Sequence, residues 1–143
     1  MIQFELYIKP KPQKQTAWNR LHAYDPSKAY KEMLIIQMLP YAPKDPIFGP
    51  VSLDITFYMA IPVSVSKSKR ADMLAHKVVP FVRPDIDNLA YVVTNSMKNM
   101  FYRDDSQIVD LTLHKRYCEE PKISIKLLNY EETCHLNLEN QTK

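Results

Sequence analysis

Glycine is nearly absent from this chain, and Gly49 is the only one among 143 residues. P-loops and dinucleotide-binding fingerprints both need several glycines, because the backbone must approach a phosphate closely. The sequence therefore excludes both kinds of glycine-rich cradle. Any chemistry on a phosphate group has to come from side chains.

Cysteine and long apolar runs are also scarce. Cys118 and Cys134 are the only cysteines. They have no metal-ligand spacing, and we interpret both as reduced thiols. No window approaches the roughly 18 consecutive apolar residues of a transmembrane helix, and residues 1–5 lack the basic and then apolar plan of a signal peptide. These features predict a cytoplasmic protein.

The length and composition are those of one ordinary domain. The chain is 45% hydrophobic and 24% charged, as is typical of globular proteins. We predict a single domain over residues 1–143, with a polar tail from about residue 130. The formal net charge is only +3, so the distribution of charge is more informative than its sum.

Positive charge concentrates in the irregular segment 62–84. The cations of this segment are Lys67, Lys69, Arg70, Lys77 and Arg83. Basic residues in loops are typical of a phosphate-binding surface. A solvated, mildly basic surface has the same composition, and composition alone does not distinguish the two.

Hydrophobic periodicity predicts an α+β fold. Apolar and polar residues alternate, as in half-buried strands, over 2–8, 51–61, 108–117 and 123–128. Apolar residues recur at helical spacing over 26–39 and 85–100. We expect the last two strands to form a hairpin, and segment 62–84 to be a long loop of the kind that usually serves function. The order predicts a small mixed four-stranded sheet with two helices.

Two acidic motifs are the sharpest local features. Asp85 and Asp87 begin the second predicted helix, and Asp105 follows Asp104 in the turn before the next strand. Each aspartate has a structural explanation as a helix cap, a partner of the helix dipole or a turn residue. Together, however, their oxygens would suit a hard cation such as Mg²⁺.

The predicted helix separates these two motifs. A helix over 85–100 is about 24 Å long, so Asp105 does not come beside Asp87 within one chain. Either the helix is shorter than its periodicity indicates, or a second subunit supplies the third carboxylate. The residue pattern leaves both alternatives open.

At these motifs the chain resembles the RusA family of Holliday junction resolvases. The resemblance rests on three runs: Arg83-Pro84-Asp85-Ile86-Asp87-Asn88-Leu89, Tyr102-Arg103-Asp104-Asp105-Ser106-Gln107-Ile108-Val109 and Lys115-Arg116-Tyr117. It extends over most of residues 2–128. It implies a homodimeric, Mg²⁺-dependent endonuclease that makes paired nicks at four-way DNA junctions in recombination and repair, often encoded by a prophage.

The resemblance also implies the roles of individual residues. Asp85, Asp87 and Asp105 would be both the catalytic residues and the metal ligands, and Asp104 matches a further acidic position of the family. The metal would activate a water and neutralise charge on the phosphodiester. The cations of segment 62–84 would bind phosphates without reading sequence, so affinity should fall steeply with salt.

One departure concerns the position four residues after the second motif aspartate. The family commonly has a lysine there, and this chain has Tyr91; Asn95 likewise replaces a frequent aspartate. Tyrosine donates a hydrogen bond but brings no positive charge. We therefore assign Tyr91 to the DNA-binding residues and expect Lys77 or Arg83 to supply the missing cation.

Two other functions also stay open, and Tyr91 supports only the first of them. The first is a junction-binding protein with weak or lost cleavage. The second is a structural or interaction protein in which all the aspartates are caps and turns. Outside the motifs, we interpret Trp18 as a packing anchor rather than as a platform for base stacking.

Overall fold

The computed structural model describes residues 1–142 apart from the Thr133 side chain. The protein has a four-stranded mixed sheet with helices on both faces. The elements in chain order are β1 (Ile2–Leu6), β2 (Ala17–Trp18), β3 (Ala23–Tyr24), α1 (Lys28–Met38), β4 (Val51–Ala60), α2 (Lys67–Leu74), α3 (Ile86–Met97), β5 (Ile108–Cys118), β6 (Lys122–Asn129) and α4 (Tyr130–Gln141). The α+β class and the four-stranded mixed sheet predicted from the sequence are confirmed.

The strand order is β1-β6-β4-β5, with β2 and β3 forming a separate two-stranded ribbon. β4 pairs in parallel with β5 and antiparallel with β6, while β1 pairs antiparallel with β6. In the described chain β5 and β6 do not pair, so the predicted hairpin is wrong. The alternating residues Ile123, Ile125 and Leu127 are almost fully buried, which favours an inner position for β6. The first half of β5 is largely exposed, as suits an edge strand.

One face of the sheet carries the main core. Alternate residues of β4, among them Leu53, Ile55 and Phe57, pack with Leu89 and Val93 of α3. α1 joins the same cluster and contacts α3 directly. α4 contacts β4 and β6 and lies over the other face. The amphipathic stripe that predicted α3 therefore faces the sheet.

Two helices occur where the sequence predicted none, so residues 1–142 contain four α-helices rather than two. α2 lies within the predicted loop, and its N-cap Ser66 accepts a hydrogen bond from the Lys69 backbone at 3.2 Å. α4 occupies the predicted polar tail and begins with a capping box between Asn129 and Glu132. Hydrogen-bonded caps, and not apolar stripes, mark where these two helices begin. Hydrophobic periodicity does not detect caps.

α3 ends three residues earlier than its periodicity indicated. Asn99 adopts a left-handed backbone with φ of 68°, a conformation that commonly terminates helices. The Tyr102 hydroxyl then donates a 2.7 Å hydrogen bond to the carbonyl oxygen of Thr94. That carbonyl belongs to the last turn of the helix, where carbonyls lack intrahelical donors. The buried hydroxyl therefore caps the C-terminus of α3.

Tyr102→Phe should lower the free energy of unfolding by about 1–3 kcal/mol, because it leaves a buried carbonyl without its donor. Urea unfolding measures this change. Tyr91→Phe is the matched control: Tyr91 is 52% exposed, and its hydroxyl has no hydrogen-bond partner within residues 1–142. The control should change stability by less than about 0.5 kcal/mol, and equal losses in the two variants would contradict the capping role.

Candidate functional site

Asp85 and Asp87 lie together at the N-terminus of α3. Asp85 is the N-cap residue by its extended backbone, but its side chain makes no capping hydrogen bond. Asp87 lies in the first turn, and both residues are exposed. Within the described part of the chain neither carboxylate has a hydrogen bond or ion pair. Both are therefore free to bind a ligand, which the capping explanation of Asp85 did not allow.

A cleft of about 490 Å³ adjoins Asp85. Its lining residues are Pro12, Gln13, Arg83, Pro84, Asp85 and Asn88. The Gln13 backbone N–H donates to the Asn88 carbonyl at 3.4 Å and ties the N-terminal segment to α3. The Gln13 amide oxygen is buried and has no hydrogen-bond partner among the described residues. Carboxylate and amide oxygens are the donors that hard divalent cations prefer.

Lys115 braces the loop that leads into Asp85. Its ammonium group donates hydrogen bonds to the backbone carbonyls of Val82 at 2.7 Å and Pro84 at 2.8 Å. These bonds connect the second half of β5 to the start of α3. The motif that carried the family resemblance includes Lys115, but the sequence assigned it no role. We infer that it holds the loop in place.

Lys31 places a positive charge beside Tyr91. Its ammonium nitrogen lies 6.0 Å from the centroid of the Tyr91 ring, within the range of a cation–π contact, and 2.8 Å from Asp25 Oδ2. The sequence had named Lys77 or Arg83 as the source of a cation. Nothing in the sequence indicates this contact of Lys31, because only the packing of α1 on α3 brings it to Tyr91.

Four of the five predicted phosphate-binding cations are exposed, namely Lys67, Lys69, Lys77 and Arg83. The fifth, Arg70, forms an ion pair with Glu119 at 3.5 Å. α2 is held to the sheet by a small cluster of Met73, Ile61 and Tyr117. Tyr117 is two residues from Lys115 and points to the same side of β5. The helix α2, with its basic residues Lys67, Lys69 and Arg70, therefore lies at the same end of the sheet as Asp85.

Asp105 lies at the other end of α3. It opens a 3₁₀ turn over Asp105–Gln107 that leads into β5. Its Oδ1 atom is buried and has no partner among the described residues. Burial raises the pKa of the Tyr102 hydroxyl, and the nearby negative charge of Asp105 raises it further. The Asp105 carboxylate therefore sits beside Tyr102, not beside Asp85.

The length of α3 keeps the three aspartates apart within one protomer. Its twelve residues span about 18 Å. Although this helix is shorter than predicted, it is still too long to bring Asp105 beside Asp87 within one chain. No group of three or more His, Cys, Asp or Glu residues that could hold a metal occurs within residues 1–142. The structure thus joins Asp85 with Asp87 and leaves Asp105 separate. The oxygen donors at the start of α3 nevertheless fit the ligand preference of Mg²⁺.

Asp104 is already engaged. It lies 3.5 Å from the Lys98 ammonium and accepts a hydrogen bond from the Ser106 hydroxyl at 3.1 Å. The Ser106 hydrogen bond and the charge of Lys98 lower the pKa of its carboxyl. Its side chain also forms a capping box with Gln107. Asp104 therefore shapes the turn that presents Asp105.

Free carboxylates, an adjoining cleft and a basic helix at one end of an α+β sheet form a site suited to a metal and a phosphodiester. The family model described as endodeoxyribonuclease RusA matches residues 7–128, which include both acidic motifs and Lys115. The chain belongs to this endodeoxyribonuclease family, and the resemblance stated from the sequence is confirmed.

One curated relative is the "Uncharacterized protein YqaN" of Bacillus subtilis (strain 168). It is 34% identical over 134 residues, and the match covers 88% of this chain and 94% of that protein. The likeness therefore extends over nearly the whole of both chains.

No helix within residues 1–142 is long and apolar enough to cross a membrane.

Asp25, which bonds to the cleft residue Gln13, should make the free energy of unfolding depend on pH in the acid range. The hydrogen bond from Lys31 is the main cause that lowers its pKa to about 2, followed by the Ser27 backbone N–H; the Gln13 amide contributes as well. A carboxyl with a lowered folded-state pKa contributes stability above its ordinary pKa and loses that contribution as pH falls through the folded value. Asp25→Asn should therefore destabilise the chain at neutral pH, and the difference should shrink from about pH 4 to about pH 2.

Urea unfolding of both proteins across this pH range tests the expectation. Asp45→Asn is the control, because Asp45 is an exposed aspartate outside the contacts of Lys31 and Gln13. A stability difference for Asp25→Asn that persists unchanged at pH 2 would contradict the stabilising role of the ionised carboxylate.

Proposed function

We propose that this protein is an Mg²⁺-dependent, structure-specific endodeoxyribonuclease that resolves Holliday junctions by paired nicks in DNA recombination and repair. The observation that carries the proposal is the pair of unpartnered carboxylates, Asp85 and Asp87, at the start of α3 beside the cleft. Membership of a nuclease family supports it, because both residues fall in the matched segment. We place this activity in the cytoplasm.

In this proposal Asp85 and Asp87 hold Mg²⁺ through their carboxylate oxygens. When bound, the metal supplies Lewis-acid activation of water and neutralises charge on the phosphodiester. Neighbouring carboxylates repel each other, so a cation at this site stabilises the start of α3. Lys115 keeps the preceding loop in position by holding the carbonyls of Val82 and Pro84.

In this proposed site the third carboxylate, Asp105, belongs to a second copy of the chain. Asp105 as a residue is only partly buried, so a second copy of the chain can reach its carboxylate, and its Oδ1 has no hydrogen-bond partner among the described residues. The axial length of α3 supports this assignment as well. A two-fold dimer would carry two such sites, and paired nicks would follow from its symmetry.

Phosphate binding in this proposal falls to the basic surface at the same end of the sheet. Its members are Lys67, Lys69, Arg70, Lys77 and Arg83, and we assign Tyr91 of α3 to DNA binding as well. Arg70 is partly compensated by Glu119, so the lysines of α2 contribute more. Lys31 lies next to Tyr91, where the family commonly has a lysine, but its charge is already paired with Asp25 at 2.8 Å.

A junction-binding protein with weak or lost cleavage is the second candidate. Tyr91 favours it, because a phenol cannot replace the charge of a lysine in stabilising a transition state. Lys31 weakens this argument only a little, since its ammonium approaches the same ring but is paired with Asp25 at 2.8 Å. Junction binding without nicks in Mg²⁺ or Mn²⁺ would favour this second candidate over the nuclease.

Asp87→Asn should lower the rate of nicking of a synthetic four-way junction in Mg²⁺ by about 100-fold or more. Loss of a ligand should cost at least as much as loss of the groups that orient ligands, which typically costs up to about 100-fold. Junction binding in a gel shift should persist, because the basic surface is unchanged. Denaturing gels of end-labelled strands measure the nicks.

The matched control is Asp54→Asn. Asp54 is a partly exposed carboxylate on β4, 3.9 Å from His114, and lies on the sheet face opposite the core. This variant should cut at the wild-type rate. Normal cleavage by Asp87→Asn with unchanged metal dependence would reject the assignment of the site.

Mixing two inactive variants tests whether the site is shared between subunits. If Asp105 acts across a dimer, a heterodimer of Asp87→Asn with Asp105→Asn regains one complete site, because one subunit offers Asp87 and the other offers Asp105. We expect the mixture to make single nicks at four-way junctions after the subunits exchange. Each variant alone should remain inactive.

The control mixture combines Asp85→Asn with Asp87→Asn. Both changes fall on the same end of α3, so every heterodimer keeps a defect in each site and should stay inactive. Sedimentation of both mixtures establishes that dimers form. Inactive mixtures of exchanged dimers in the Asp87→Asn and Asp105→Asn case would reject the shared site.

A further inference from the structure

The ribbon of β2 and β3, which we call the arm (residues 17–24), projects from the fold with an ordered tip. Ala17 pairs with Tyr24, and Trp18 pairs with Ala23. Asn19 closes the turn: its backbone N–H donates to the His22 carbonyl at 3.0 Å. Its side-chain oxygen also accepts the backbone N–H of His22 at 2.8 Å. The tip therefore has a defined shape of its own.

The arm exposes apolar side chains that the core does not use. Trp18 is 77% exposed and Leu21 at the tip is 91% exposed. The interpretation of Trp18 as a packing anchor is therefore wrong. The reason is that β2 and β3 pair only with each other within residues 1–142, so the indole has no sheet or helix to cover. An indole this open is available to an external partner.

Both ends of the arm are fastened beside the cleft that Asp85 lines. On the incoming side, Gln13 lines the cleft and bonds to Asn88 of α3, and the Lys14 backbone N–H donates to the Ser27 hydroxyl at 2.9 Å. On the outgoing side, Asp25 accepts the Gln13 amide N–H at 2.8 Å. The arm therefore extends from the mouth of the cleft that contains Asp85.

The charge of this segment indicates the chemistry of the partner. Residues 13–24 contain Lys14, Arg20 and His22 and no acidic residue. An exposed aromatic ring among positive charges is the arrangement that binds single-stranded nucleic acid, with phosphates held by cations and a base stacked on the ring. Such stacking requires a base outside the regular stack, which a branch point offers and an intact duplex does not.

We propose that the arm recognises branched DNA by stacking the Trp18 indole on an unpaired or unstacked base at the branch. This inference rests on the proposed function and adds to it a residue that separates branched from linear substrates. Arg20 at the tip contacts the adjacent phosphate. Asp85 and Asp87 at the start of α3 and Trp18 on the arm then engage neighbouring parts of one branch.

Trp18 is the only tryptophan of the chain, so its fluorescence reports directly on the arm. The experiment titrates the full-length Asp87→Asn protein, in Mg²⁺, with a four-way junction and with a linear duplex of the same composition. We expect the junction to quench the emission strongly and the duplex to quench it weakly. A gel shift on the same samples measures complex formation independently.

Substitutions then test whether the ring itself contributes affinity. Trp18→Ala should weaken junction binding by about 5- to 100-fold, the range expected for one stacked base, and should leave duplex binding unchanged. Trp18→Phe should retain most of the affinity, since phenylalanine also stacks. The matched control is Phe48→Ala, an aromatic that is 97% exposed and lies beside Gly49 at the Asp105 end of the fold.

The outcomes separate this inference from the proposed function. Junction complexes with unchanged Trp18 emission, or with equal affinity after Trp18→Ala, would overturn the arm and leave the nuclease intact. Equal quenching by duplex would also overturn it. A response to neutral phospholipid vesicles but not to DNA would replace it with a membrane contact. Failure to form any junction complex would instead reject the junction as substrate.

Discussion

The parallel pairing of β4 with β5 determines where each acidic residue of the site lies. Parallel neighbours require a crossover connection, and here that connection contains α2 and α3. α3 must therefore return from the end where both strands finish to the end where they begin. This return places Asp85 and Asp87 beside Lys115 at one end and Asp105 beside Tyr102 at the other. The distribution of carboxylates follows from the topology.

The end of the sheet that carries Asp85 is held by polar contacts as well as by the small apolar cluster of Met73, Ile61 and Tyr117. Lys115 binds two loop carbonyls, and Asp25 joins Lys31 to Gln13. Both networks leave the carboxylates at the start of α3 without partners, so a bound cation would find them available. The opposite end has one buried carboxylate oxygen that no described residue satisfies. This unsatisfied oxygen is one of the observations behind the proposal that a second copy of the chain supplies Asp105.

The class of fold and both acidic motifs could be predicted from the sequence because they depend on neighbouring residues. Alternation in β4 and the apolar stripe of α3 are local patterns, and the carboxylates lie inside short motifs. The predicted hairpin of β5 and β6 was wrong because strand order depends on which strand gains most from burial on the sheet. α2 and α4 were missed because caps define them. Trp18 was misjudged because exposure depends on what the rest of the chain covers.

By itself the sequence determined the two acidic motifs, the start of α3 and the family, since each is contained in residues close together along the chain. Its shortage of glycine also excluded a glycine-rich phosphate cradle. Only the tertiary structure decided that Lys31 reaches Tyr91, that Lys115 braces the loop before Asp85 and that Asp105 stands apart. These contacts join residues far apart in sequence, and their positions depend on the packing of whole helices and strands, which no local pattern encodes.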